Sequence, residues 1–206
     1  MGKVLKLLLF CFLCFLNSCK KESEIKKTDE DLKSIKVDSL QFSNENELRD
    51  LTIAFFNWYK LNINKLGKFE YLKGGYVNEN DSIAYYIDET VVTKYVKEFE
   101  KTDYVSQSYV ENLKNHLLSV GKDLKEEKIY DGVVSGLDYD LITKSQEDEE
   151  IFSNMPTIKL LSQKIISKDD VENYYELRKN TLFLKISYTF EDKWKIKDYD
   201  FEYRIK

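Results

Sequence analysis

The densest group of side chains able to do chemistry lies between Asp138 and Asp148. Asp138, Asp140, Gln146, Glu147 and Asp148 bring carboxylates and an amide into one short stretch, DYDLITKSQED. Oxygens gathered this way can ligate a hard cation, which takes about six to eight of them. They can also cap turns and helix ends by accepting backbone N–H bonds. The spacing lacks the glycine of an EF-hand loop, so the capping reading is preferred and contact with a ligand is its alternative. His116 is the one histidine. It falls beside the apolar stripe of its helix, where a packed imidazole is commoner than a general base. Trp58, Trp194 and the pairs Tyr85-Tyr86 and Tyr174-Tyr175 are amphipathic rings that suit either a core edge or a stacking surface. Basic residues are 29 Lys against 3 Arg, which gives no support to bidentate anion recognition. No glycine-rich phosphate loop, G-x-S-x-G or H-E-x-x-H occurs in the sequence. The net charge of −5 argues against non-specific nucleic-acid binding. No catalytic residue, metal site or cofactor is expected.

All three cysteines lie at or before Cys19. That leaves no thiol nucleophile and no disulfide framework for the rest of the chain. Residues 1–18 read as a secretory signal: Lys3 and Lys6 form a basic start, and Leu7 to Leu16 is an unbroken apolar run. The run is too short to span a bilayer, which takes about 20 apolar residues. Leu16-Asn17-Ser18-Cys19 then resembles the lipobox of bacterial lipoproteins, with cleavage after Ser18 and lipidation at Cys19. Two or three acyl chains at Cys19 would anchor the chain stably to a membrane. Lys20, rather than Asp, favours the outer membrane. Residues 19–44 read as the lipidated Cys followed by a tether, for Lys20 to Asp38 mixes charges of both signs without an aromatic residue.

Residues 45–206 read as one α+β domain. A helix is predicted from Glu45 to Leu66, opened by Asn44 with Glu47 and closed by Gly67, with Leu48, Leu51, Ala54, Phe55, Trp58 and Leu61 on one stripe. A second helix follows Asp88 and carries Val91, Val92, Tyr95, Val96 and Phe99. A third follows Ser106, with Ser108 and Glu111 as an S-x-x-E pair and Val110, Leu113, Leu117, Val120 and Leu124 as its stripe. Residues 68–87 show turn signals without a clear period. After Pro156 the period becomes two, as in Leu182, Leu184, Ile186, Tyr188 and Phe190, and short polar breaks imply a four-stranded antiparallel meander. Trp194 and Ile196 lie on one parity but Tyr199, Phe201, Tyr203 and Ile205 on the other, which predicts a β-bulge near Lys197-Asp198. Trp194 is expected to fill the space between the sheet and the first helix, near Trp58.

Three segments resemble one family. Phe55-Phe56-Asn57-Trp58-Tyr59 is similar to the "FYxWY" opening of domain of unknown function 3828. Asp138 to Glu147 is similar to its "DxDxxxxAQD" segment, with Ser145 for Ala and Glu147 for Asp. Trp194 to Asp198 is similar to its closing "WkId" strand. The resemblance spans about residues 47 to 205. It implies an exported bacterial protein with a nuclear-transport-factor-2-like, cystatin-like half-cone: amphipathic helices packed in the concavity of a curved antiparallel sheet. Some members of that family are immunity proteins that block cell-wall amidases. The expectation is therefore a lipid-anchored, non-catalytic interaction module of the cell envelope with a protein partner. The alternatives are a small-ligand binder using the concave face, an amidase-directed immunity protein, and a small hydrolase or isomerase of the same fold.

Overall fold

Glu45 and Glu47 open the first helix, where backbone N–H groups lack partners, and Lys65 lies in its last turn. This helix, α1, spans Glu45–Leu66 in the computed structural model, which describes residues 44–78, 80–146 and 148–204. The signal segment, Cys19 and its tether, and Glu147 in the acidic stretch, lie outside the described residues. Asn44 stands at the N-cap as expected, but its side chain makes no cap bond. Gly67 does end the helix, its N–H donating to Ile63 O at 2.8 Å. The buried side of α1 is Leu48, Thr52, Phe55, Phe56, Tyr59 and Leu66. The predicted stripe is thus turned: Leu61 is 84% exposed, and Leu51, Ala54 and Trp58 are half-buried. The cause is Thr52, a polar residue on the core side, whose hydroxyl bonds Leu48 O at 2.8 Å and the Tyr188 hydroxyl at 2.5 Å. A satisfied hydroxyl can face a core.

Residues 68–87 contain a hairpin of β1 (Leu72–Gly75) and β2 (Ile83–Ile87). Asn78 Oδ1 accepts from the N–H groups of Asn80 and Asp81 at 2.9 and 3.1 Å, which builds the turn. Gly74 has φ +92°, and a Cβ there would stand 2.5 Å from Ala84 O, so only glycine lets the strands approach. Helix α2 (Glu89–Glu100) starts where Asp88 accepts from Thr90 and Val91 N–H at 3.0 and 3.2 Å. Helix α3 (Gln107–Glu127) is capped by Ser106, whose Oγ accepts from Tyr109 N–H at 3.2 Å. Ser108 lies inside that helix, so the S-x-x-E pair does not cap it. Gly121 brings β2 against α3, for a Cβ there would meet Ile87 Cβ at 2.9 Å.

A short helix α4 (Asp148–Asn154) and a 3-10 turn (Met155–Thr157) lead into the sheet. Its strands β3 (Lys159–Ile165), β4 (Asp170–Arg178), β5 (Leu182–Phe190) and β6 (Trp194–Tyr203) pair antiparallel in sequence order, the predicted meander. Ser187 pairs with Asp198 but Tyr188 with Ile196, leaving Lys197 as the extra residue of a bulge. The bulge therefore falls where the change of parity placed it, and it lets Trp194, Ile196, Tyr199 and Phe201 all be buried. Tyr203 continues the parity yet is 47% exposed, and Phe190 is 43% exposed, because both stand at strand ends. The described residues thus form an α+β fold, with α1 and α3 against the sheet.

The core lies between α1 and the sheet. Phe56 meets Tyr199 and Phe201 with ring centroids 5.3 and 5.7 Å apart. Trp58 faces the other way and packs on Phe55 and Phe99 at 6.2 and 5.3 Å. Trp194 is buried as expected, but its ring partner is Phe190 at 5.4 Å, at the end of the sheet rather than beside Trp58. A chain of polar groups crosses the interior. The Tyr188 hydroxyl reaches that of Tyr175 at 3.4 Å, Asn173 Nδ2 donates to Tyr175 at 2.8 Å, and Gln163 Nε2 donates to Asn173 Oδ1 at 3.0 Å. Thr52, Asn173, Tyr175 and Tyr188 have no exposed surface, so this part of the contact between α1 and the sheet is packed by side chains that satisfy one another.

Candidate functional site

A loop from Leu137 to Gln146 runs between α3 and α4 and carries most of the acidic stretch. Asp140 organises it. Its Oδ1 accepts from the N–H groups of Ile142 and Thr143 at 3.0 and 2.7 Å and from the Thr143 hydroxyl at 3.0 Å. Its Oδ2 accepts from the hydroxyl of Tyr59 on α1. The Asp140 N–H donates to Ser145 O at 3.0 Å and the Lys144 N–H to Asp140 O at 2.8 Å, which closes the turn. Gln146 Nε2 donates to Asp138 O at 3.1 Å, joining the two ends of the loop. Asp138 itself is exposed. These bonds are the capping ones that Asp and Gln side chains make in turns.

Beneath the loop stand four buried tyrosines: Tyr59, Tyr95, Tyr109 and Tyr199. Tyr199 donates its hydroxyl to Ile142 O at 2.8 Å, and the Tyr109 hydroxyl lies 3.1 Å from that of Tyr199. Lys144 fixes the far side, donating to Tyr199 O and standing 3.3 Å from Asp200 Oδ1. The loop is thereby tied to α1, α3 and β6 by side chains from each.

Burial holds all four phenols above their ordinary value, and for Tyr59 the Asp140 carboxylate adds to that effect. The half-buried Tyr71 is raised for the same two reasons. Such groups stabilise the fold fully below the unfolded tyrosine pKa of about 10. Above it, unfolded tyrosines release protons that the folded ones keep, so stability falls as pH rises. The expected loss is about 1.4 kcal/mol per pH unit for each such tyrosine, a steep alkaline transition. Phenolate absorbance should therefore appear in two classes, the buried one only together with loss of the near-ultraviolet dichroism. Smooth ionisation of all tyrosines in a folded chain would refute the buried cluster.

The loop separates two clefts, each of about 390 Å³, with Tyr139 and Leu141 lining both. The first lies towards α3 and β6 and is walled by Tyr109, His116, Lys144, Asp198 and Asp200. Its lysine is engaged by Asp200, and His116 Nε2 is 3.1 Å from Gly136 O, so the imidazole donates to a carbonyl at the boundary. The second lies towards α1, α2 and the segment before β1, and is walled by Tyr59, Phe69, Tyr71, Tyr95, Glu70 and Asp140.

Of the residues singled out in the sequence, Asp138, Asp140 and Gln146 are brought together, whereas Trp58 and Trp194 are not part of this site. Tyr175 is wholly buried. Tyr174 lies on the outer face, stacked on Phe183 at 5.5 Å and donating to Glu202 at 2.8 Å. Tyr86 is exposed, and Tyr85 is held at the hairpin by its N–H bond to Ile129 O at 2.7 Å. Of the buried tyrosines, the sequence places Tyr95 and Tyr199 on apolar positions and gives Tyr59 and Tyr109 no place in a core. The available signal was their type, for phenylalanine would serve a core without a hydroxyl.

Among the described residues, no helix is long and apolar enough to cross a membrane, and no group of three or more His, Cys, Asp or Glu side chains is placed to hold a metal ion. Compared with known proteins, the chain matches no family model, no curated protein and no solved structure.

Proposed function

We propose that this chain is a lipid-anchored protein of the cell envelope whose folded part is a non-catalytic interaction module. The observation that carries the anchor is the order of residues: an apolar run from Leu7 to Leu16, then Asn17-Ser18-Cys19, with no later cysteine to compete. Outer-membrane placement rests on Lys20. The interaction reading draws on the packing between α1 and the sheet, where Thr52, Tyr188, Tyr175 and Asn173 bond to one another rather than facing a ligand. The resemblance to domain of unknown function 3828 is set beside an order of elements that runs helix, hairpin, helices and antiparallel meander. It makes a nuclear-transport-factor-2-like fold and an amidase-directed immunity role the family-level form of this proposal.

Cys19→Ser should move the protein from the membrane to the soluble fraction, or leave a precursor of higher mass. Fractionation with acyl labelling checks this, and a cleaved Cys19→Ser chain that stays on the membrane would sink the lipoprotein assignment. Pull-down from detergent-solubilised envelope, with the wild-type chain as bait, tests the module: a stoichiometric protein partner is expected, and its repeated absence counts against the reading. A second reading, a small-ligand binder, is favoured by the two clefts flanking the Asp140 loop rather than by a cavity in the concave face.

A further inference from the structure

Asp140 is half-buried, and both its oxygens act only as acceptors, as in a carboxylate. Every donor that it uses is neutral. No lysine, arginine or histidine among the described residues forms an ion pair with it, although Lys144 is a near neighbour in the chain and turns to Asp200 instead. The oxygens of Asp140 are met by four hydrogen bonds and, among the described residues, by no ion pair. On one side of it opens the cleft of about 390 Å³ whose walls mix the rings of Tyr59, Phe69, Tyr71, Tyr95 and Tyr139 with aliphatic side chains such as Leu72. The rings are packed against each other, Tyr71 on Tyr95 at 5.4 Å and Phe69 on Tyr95 at 6.0 Å, so the wall is built rather than assembled on binding. The volume lies in the range of small-molecule sites.

A carboxylate and aromatic rings that line one cleft both favour a positive charge, the carboxylate through its full charge and a ring through its quadrupole where its face is reached. The phenols stay neutral, because burial and the nearness of Asp140 oppose their ionisation. Glu70 stands at the rim, exposed and 3.2 Å from Lys73, and adds negative charge at the entrance only in part. The chain as a whole is acidic, which favours the approach of cations. A compact primary ammonium is strongly hydrated and gives up water reluctantly. A substituted ammonium presents methyl groups to the rings and a diffuse charge to the carboxylate. The opposite cleft has no such preference, since it holds a lysine beside its two aspartates.

We propose that the cleft formed by Tyr59, Tyr71, Tyr95 and Asp140 binds a quaternary or highly substituted alkylammonium group. This site rests on the cleft alone and stands whether or not the anchor at Cys19 is confirmed.

The test is ligand-observed NMR with the full-length protein in an uncharged maltoside detergent. Choline is the probe, and 3,3-dimethylbutanol, its uncharged carbon analogue, is the control. Choline should bind about tenfold more tightly than the alcohol, the size of a desolvated cation–π contribution. Asp140→Asn should reduce that difference, because it removes the full charge and leaves the rings in place. Because Asp140 also holds the loop, Tyr71→Leu is the second variant: it leaves every bond of Asp140 intact and should weaken choline several-fold. Equal binding of choline and the alcohol, or choline binding unchanged in Tyr71→Leu, would overturn the proposal, as would absence of binding by either probe.

Discussion

Phe56→Ala should cost the fold about 3 to 5 kcal/mol, as truncation of a fully buried aromatic ring does. Phe56 has no exposed surface and sits where α1 meets β6, in edge contact with Phe55, Tyr199 and Phe201 at 5.1, 5.3 and 5.7 Å. The cavity left behind cannot close easily, because its walls are rings held by their own bonds. Tyr199 is fixed by Ile142 O and by Tyr109, and Phe55 by the ring of Tyr109 at 6.0 Å. A domain of this size is stable by about 5 to 15 kcal/mol, so the loss is a large share of the total. With about 2 to 4 °C lost per kcal/mol, the midpoint should fall by about 6 to 20 °C. Thermal unfolding followed by circular dichroism measures it. A melting point within two degrees or so of wild type would mean that α1 does not seat on the sheet as described.

The same residues show what the sequence could and could not reveal. Period and turn signals carried the fold because they are local: the alternation from Leu182 to Tyr188, the turn residues between strands, and the change of parity after Ile196 each depend on a few neighbours. The bulge at Lys197 is the clearest case, since one extra residue is the only way to bury Ile196 and Tyr199 together. The face of α1 was less legible. Leu61 is more apolar than Thr52, yet Leu61 is exposed and Thr52 buried, because the Tyr188 hydroxyl waits on the sheet for a partner. That partner is 136 residues away, and no helical period records it. Trp194 was placed on the correct side but beside the wrong neighbour, since parity fixes a face and not a position along the strand. The site was legible in part. Asp138, Asp140 and Gln146 stand close in sequence and their turn could be read. The tyrosines that surround them come from α1, α2, α3 and β6, and only the packing of those elements joins them.

Asp140→Ala is the change expected to disturb the site most. It removes the acceptor for four donors at once: two backbone N–H groups, the Thr143 hydroxyl and the Tyr59 hydroxyl. Thr143 is wholly buried and Tyr59 only 3% exposed, so their donors cannot all turn to water. Leaving buried donors unsatisfied costs about 1 to 3 kcal/mol each, and partial rearrangement should leave a net loss of about 2 to 4 kcal/mol. Asp140→Asn keeps one carbonyl oxygen for the turn and should lose about half as much. The local effect should exceed the global one. Amide exchange at Ile142 and Thr143 should accelerate towards that of an open loop in the alanine variant, while amides of β4 and β5, away from the loop, keep the protection set by global stability. Because Tyr139 and Leu141 line both clefts, freeing the loop should also remove the walls that the clefts share. Unchanged exchange at Ile142 and Thr143 in Asp140→Ala would show that Tyr199 and Lys144 hold the loop without help from the carboxylate.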